Sequence, residues 1–243
     1  MYFNSALATR FIDQESKYTS LIDFSASTIG QSDVSQIAIM IPMLQRLNHL
    51  TLLDIKYNHY NKKKISEYNL GLVYRYNFQD KWIWGLYNYW DHRKINSDLY
   101  FNQWTLGSEV LSPYFDCRIN FYMPTKNTNT IYSRSPEFKR EGTSIYAITG
   151  GGVVGRALPG YDVELGVPVF GLVPEIDKKI GTKIFLTKYD FRKKNVQNYS
   201  GVKFRLEQKA FESILNKKNI TLTLHIGIQY TKQNKRNNFV GIS

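Results

Sequence analysis

Apolar residues fall on every second position between Ile220 and Tyr230. Ile220, Leu222, Leu224, Ile226, Ile228 and Tyr230 alternate with Thr221, Thr223, His225, Gly227 and Gln229. Successive side chains of a β-strand point to opposite faces, so this segment is a ribbon with one greasy side and one polar side. Helical spacing does not explain the pattern. Its length of about ten residues is what a tilted strand needs to cross a bilayer.

The pattern recurs along the chain. Tyr68, Leu70, Leu72, Tyr74 and Tyr76 oppose Asn69, Gly71, Val73, Arg75 and Asn77. Phe115, Cys117, Ile119, Phe121 and Met123 oppose Asp116, Arg118, Asn120 and Tyr122, and Tyr161 to Val169 repeats the arrangement. Val202, Phe204 and Leu206 alternate with Gly201, Lys203, Arg205 and Glu207. The stretch Leu206 to Leu215 is the exception, with spacing that fits one or two helical turns. About twelve strands are expected, near 20–29, 35–45, 49–60, 66–77, 80–92, 100–112, 114–124, 159–169, 180–190, 199–208, 218–231 and 237–243. Residues 1–19 read as an N-terminal extension and 20–243 as an antiparallel transmembrane β-barrel, its last strand cut short.

Link lengths agree with a barrel whose one rim carries short turns and the other long loops. The links at Arg46–Asn48, Phe78–Gln79 and Ser112–Pro113 are tight. Those at Asn61–Ile65, Arg93–Leu99 and Thr125–Leu158 are longer, and the alternation weakens after the eighth strand. The 125–158 segment, with Arg134, Lys139 and Arg140, is the expected surface loop.

Composition narrows the alternatives. The only cysteine is Cys117, which excludes a disulfide framework and Cys-based zinc sites. There is no run of about 18 apolar residues for a transmembrane helix, and Met1-Tyr2-Phe3-Asn4-Ser5-Ala6-Leu7 carries no visible secretory signal. A mean hydropathy of −0.38 is compatible with a barrel, because lumen residues dilute the apolar face. The net charge of +12 permits contact with nucleic acid, anionic lipid or lipopolysaccharide phosphates. A soluble basic β-sandwich or barrel that binds a polyanion therefore stands as the alternative.

Two features favour the membrane. The polar faces carry both signs of charge: Asp54 with Lys56, Asp116 with Arg118, Arg205 with Glu207. A closed lumen would pair such charges, and Arg75, Glu109, Asp162, Glu164 and Lys203 join the expected lumen-facing set, with Asp91 and Lys183 as further partners. Aromatic residues lie near strand ends at Tyr57, Tyr68, Tyr76, Trp82, Trp104, Tyr161 and Tyr230, where a ring suits a membrane–water interface.

Specific motifs carry a family resemblance. Ile41-Pro42-Met43-Leu44-Gln45, Leu52-Leu53-Asp54-Ile55-Lys56-Tyr57, the Tyr68–Arg75 and Trp82–Asp91 stretches, and above all Phe101-Asn102-Gln103-Trp104-Thr105-Leu106-Gly107-Ser108-Glu109-Val110-Leu111-Ser112 occur in order at compatible spacing. Phe115–Pro124, Ala157–Gly166 and Phe239-Val240-Gly241-Ile242 extend them. Together they resemble the inverse autotransporter β-barrel domain of the intimin/invasin family. The resemblance implies a twelve-stranded barrel in a bacterial outer membrane, in a family whose barrels anchor and export a passenger, often an adhesin; the passenger itself is expected to be absent from this chain. The expected partners are outer-membrane lipid, a passenger in cis or a host-surface ligand, with no nucleic acid and a monomeric state.

No catalytic set stands out, so no enzyme activity, cofactor or metal is expected. His49, His59, His92 and His225 lie on separate elements, and His225 is expected to be hydrogen-bonded in the lumen. Gly150–Arg156 lacks the Lys-Ser/Thr ending and strand–helix context of a phosphate loop.

Overall fold

Each alternating segment needs a neighbour on both edges before it can enter hydrocarbon, since unpaired backbone amides there cost several kcal/mol each. In the computed structural model the chain meets this demand by closure. The structure describes residues 18–29, 32–61, 65–96, 99–125, 128–130, 137–141, 144–148, 154–169, 181–192, 198–210, 222–232 and 236–243.

The described residues form sixteen strands: β1 (Leu21–Ile29), β2 (Ser32–Arg46), β3 (His49–Tyr60), β4 (Ile65–Phe78), β5 (Trp82–Asn96), β6 (Leu99–Leu111), β7 (Asp116–Pro124), β8 (Thr128–Thr130), β9 (Glu137–Glu141), β10 (Ser144–Ile148), β11 (Val154–Ala157), β12 (Gly160–Pro168), β13 (Thr182–Phe191), β14 (Tyr199–Ala210), β15 (Leu222–Thr231) and β16 (Arg236–Ile242). Twelve of them form a closed barrel in the order β1-β16-β15-β14-β13-β12-β7-β6-β5-β4-β3-β2, with antiparallel neighbours throughout. The last strand pairs on both sides, with Leu224–Tyr230 of β15 and, over Phe239–Ile242, with Ala26–Ile29 of β1.

Three expectations are corrected. The Arg93–Leu99 link is not a loop: β5 continues to Asn96 and β6 starts at Leu99, with a register shift between Lys94 and Asn96. At 15 residues, β5 is longer than the roughly 9–11 residues that span hydrocarbon, so the hairpin projects past the membrane. Leu206 to Ala210 belongs to β14 rather than a helix, because its ladder with β15 outweighs local helical spacing, and 211–215 lie outside the described residues. The 125–158 connection also holds regular structure, a separate sheet in the order β8-β11-β10-β9.

One rim carries the links 47–48, 79–81 and 112–115, followed by the longer 169–181 and 211–221. At 79–81 both Gln79 and Asp80 take φ near 53°, and Asn77 Nδ2 donates to Asp80 Oδ1 at 2.9 Å. The other rim carries 30–31, 61–64, 97–98, the 125–159 connection, 192–198 and 232–235. A register shift between Pro42 and Leu44 places the extra residue of β2 next to a proline that has no N–H to donate.

Candidate functional site: the charge-lined lumen

The inner face follows from strand parity. Asn69, Gly71, Val73, Arg75 and Asn77 of β4 are buried, whereas Tyr68, Leu70, Leu72 and Tyr74 are exposed on the outside. The same division holds in β7, where Asp116, Arg118, Asn120 and Tyr122 point inward.

Inside, cations and carboxylates alternate round the wall. Arg75 Nε donates to Glu109 Oε1 at 2.7 Å, and Arg118 Nε to Glu109 Oε2 at 3.3 Å. Arg118 Nη1 continues to Glu164 Oε1 at 3.0 Å, which Arg205 Nη2 also reaches at 3.1 Å. Arg205 Nη1 then pairs with Glu207, and His225 Nδ1 lies 3.7 Å from that carboxylate. The chain of charge runs from β4 to β14, with the His225 ring of β15 beside its end. Arg75, Arg205, Glu109 and Glu207 are all nearly sealed from solvent, so each would be very costly without its partner.

The remaining expected residues sit on the same face. Lys56 Nζ lies 2.9 Å from Asp54 Oδ2, and Tyr89 Oη donates to that oxygen at 2.6 Å. Asp116 receives Lys183 Nζ at 2.9 Å rather than Arg118 from its own strand. Lys183 reaches it from β13, two strands away, while Arg118 is taken up by Glu109 and Glu164. Asp162 accepts from Asn120 Nδ2 and Tyr122 Oη at 2.7 Å each, and Asp91 accepts from Asn69, Thr105 and Gln103. Lys203 Nζ lies 4.8 Å from the centre of the Phe239 ring. His225 Nε2 is 3.0 Å from Ser243 Oγ. Arg134 lies outside the described residues; Lys139 and Arg140 stand on β9, in register with Tyr146 and Ile145 of β10.

The sequence reading missed two groups. Arg93 Nη1 is 3.3 Å from Glu67 Oε2 and stacks 4.8 Å from the Tyr60 ring, closing a buried cluster at the upper end of β3–β5. Extending the parity of Asn69 and Asp91 by one inward step reaches both residues. The second group is aromatic. Tyr89, Tyr87, Phe185, Tyr189 and Phe239 lie inward, each directly opposite a glycine: Gly71, Gly107, Gly166, Gly201 and Gly227. A Cβ at any of these glycines would overlap the facing ring. The rings therefore lie flat against the wall in sockets that only glycine provides.

Toward the rim with short turns, the lining becomes apolar. Leu50, Leu52, Val73, Ile83 and Leu111 form a buried cluster with Tyr87 and Tyr89, against which Tyr18 packs. The Tyr18 backbone is held on both sides by Gln45, at 2.9 and 2.7 Å. Among the described residues no group of three or more His, Cys, Asp and Glu side chains is placed to hold a metal ion.

The outer surface is the inverse of a soluble one. Phe24, Leu86, Leu165, Ile226 and Val240 are each more than half exposed. Residues 17–241 match the family model described as "Inverse autotransporter, beta-domain". The chain belongs to this family.

The inverse autotransporter β-domain is thus a bacterial outer-membrane barrel anchor, and its exposed leucines, valines and phenylalanines contact lipid. No curated protein matches the sequence. Among solved structures, a chain from work on the mechanism of in-meso crystallization of membrane proteins shares 12% identity, covers 93% of this chain and 82% of that one, and superposes with a TM-score of 0.64. That likeness is one of fold. The outer membrane protein OprD from Pseudomonas aeruginosa is more distant, at 8% identity, 86% and 58% coverage and a TM-score of 0.44.

Aromatic residues form bands at both ends of the lipid-facing surface. Tyr57 and Tyr68 lie 4.9 Å apart, with Trp90, His92 and Tyr100 stacked beside them near the rim of the long connection. His49, Tyr74 and Tyr76 cluster at the opposite rim, where Trp82 packs edge-on to Phe115. The bands bound the apolar belt, as interfacial rings do.

Proposed function

We propose that this barrel anchors and exports a passenger carried on the same polypeptide, as a monomer, with no chemistry of its own. The observation that supports this most is the arrangement of the lumen. Every ion pair described above joins strands no more than two places apart round the barrel. The charged side chains are therefore held along the wall, where they can shift without dismantling a bridge across the axis. Their near-complete burial favours a sealed anchor over an open diffusion pore.

In the proposed topology the rim of short turns faces the periplasm. The connection 125–159, with Arg134, Lys139 and Arg140, faces outward as a contact surface for host or matrix. The polar lumen, rich in hydrogen-bonding side chains, suits an extended chain whose backbone amides need partners in transit.

The test is a reporter domain fused after Ser243. On intact cells with a folded barrel, antibody should detect the reporter at the surface. A folded, membrane-inserted barrel with its reporter confined to the periplasm would overturn the export reading and leave only anchoring.

A further inference from the structure

A charge on the lipid face of a transmembrane strand costs about 2–4 kcal/mol at the bilayer midplane and close to nothing at the interface. Lys188 is such a charge. It occupies the outward row of β13 between Val163 of β12 and Val202 of β14, and it is exposed. One outward step nearer the rim of the long connection stands Asp190, opposite Tyr161 and Ser200.

That carboxylate already has a partner. Arg192 grips both oxygens, Nε to Oδ1 at 2.8 Å and Nη2 to Oδ2. Lys232 is fixed beside it, since its backbone N–H donates to Ser200 O at 2.9 Å. The charges of Lys188 and Lys232 both act on Asp190. Arg236, opposite the outward Tyr230, carries the cationic row onto β16. Three cations, Lys188, Arg192 and Lys232, thus act on one engaged carboxylate, with Arg236 further along the rim, beside an apolar row of Val163, Val202 and Tyr230. The β3–β6 sector of the same rim is aromatic instead, with Lys94 its described outward cation.

We propose that this β12–β16 sector is a binding site for a phosphorylated outer-leaflet glycolipid of the lipid A type. The Lys188 stem runs along the valine row while its ammonium rises to a phosphoryl oxygen. Lys232 and Arg192 supply further charge-assisted donors, and the apolar row takes the acyl chains. The assignment rests on the outward orientation of this rim. Protease access on intact cells reads that orientation separately.

The test uses the full chain, folded in detergent micelles and followed by native mass spectrometry. The probes are diphosphoryl lipid A, lipid A stripped of phosphate, phosphatidylglycerol and inorganic phosphate. Diphosphoryl lipid A should be retained, and Lys188→Gln with Lys232→Gln should weaken it by about tenfold or more, the effect of about 1.4 kcal/mol. Lys94→Gln should bind like the unaltered chain, and Lys188→Arg with Lys232→Arg should retain binding. Lys232→Gln alone lies at a strand end and carries the test if the double change impairs folding, with a several-fold loss expected. Equal retention of the dephosphorylated lipid, or unaltered binding by the Gln variants, would overturn the site. Equal binding of phosphatidylglycerol or competition by inorganic phosphate would overturn its glycolipid assignment.

Discussion

Arg118 on β7 donates from Nη1 to Glu164 on β12 at 3.0 Å, across the pair of barrel neighbours that the 125–159 connection separates in sequence. The guanidinium also holds Glu109, so two carboxylates depend on it. Both retain a second cation, Arg75 and Arg205 respectively. Arg118→Met is therefore expected to destabilise the folded barrel by about 3 kcal/mol, the lower end for breaking a buried pair. Adding Glu164→Gln should recover part of that loss. Urea midpoints of the barrel in phospholipid vesicles, with the boiling-dependent gel shift as a check of folding, measure both. An unchanged midpoint would mean that the charge chain is not holding β7 to β12.

The pairing of Gly107 with Tyr87 gives a second expectation. The ring lies where a Gly107 side chain would project, and its hydroxyl donates to Asn120 Oδ1 at 2.7 Å. Gly107→Val must displace the ring and break that bond, which is expected to cost about 1–3 kcal/mol. Combined with Tyr87→Ala, which vacates the socket, the valine should add little further loss. Purely additive effects in the same urea assay would show that ring and socket act independently.

These two contacts also mark how far the sequence could be read. Which residues share a face was legible throughout, because a strand fixes parity without reference to its neighbours. Strand number and order followed from that parity and from link lengths. Partners did not. Asp116 pairs with Lys183 rather than Arg118 because register is set by closure of the whole sheet, which no single segment encodes. The inward aromatics were hidden for the same reason. Tyr87 and Tyr89 share the inward parity of Asp91, but a single strand does not show the glycines of the neighbouring strands that receive their rings. The β5–β6 hairpin was misread as a loop because polar, lipid-free strand ends lose the apolar alternation that identifies a strand in the membrane.

Leu165 separates the lipid-facing barrel from a soluble one. It is 51% exposed between Cys117 and Leu186, and on a soluble protein an arginine there would be harmless or helpful. Facing hydrocarbon, Leu165→Arg is expected to destabilise by about 2–4 kcal/mol. Vesicle-based unfolding measures the difference, with Lys94→Gln as a neutral comparison near the rim. A stabilised or unaffected Leu165→Arg would remove lipid from the belt.

Orientation yields to proteolysis, because the two rims differ in what they offer. One rim offers the 125–159 connection with Arg134, Lys139 and Arg140, whereas the other offers the tight turns at 47–48 and 79–81 and the longer links 169–181 and 211–221 with Lys178 and Lys217. Trypsin added to intact cells is expected to cut between Arg134 and Arg140 and to spare the opposite rim, including Lys178 and Lys217 in its long links. The strands should survive as two membrane-held fragments, since β7 and β12 remain paired along Asp116–Tyr122 and joined through Arg118 and Glu164. The fragments should co-migrate unboiled and separate on boiling. Cleavage at Lys178 or Lys217 with an intact 134–140 segment would place that rim outside and invert the barrel.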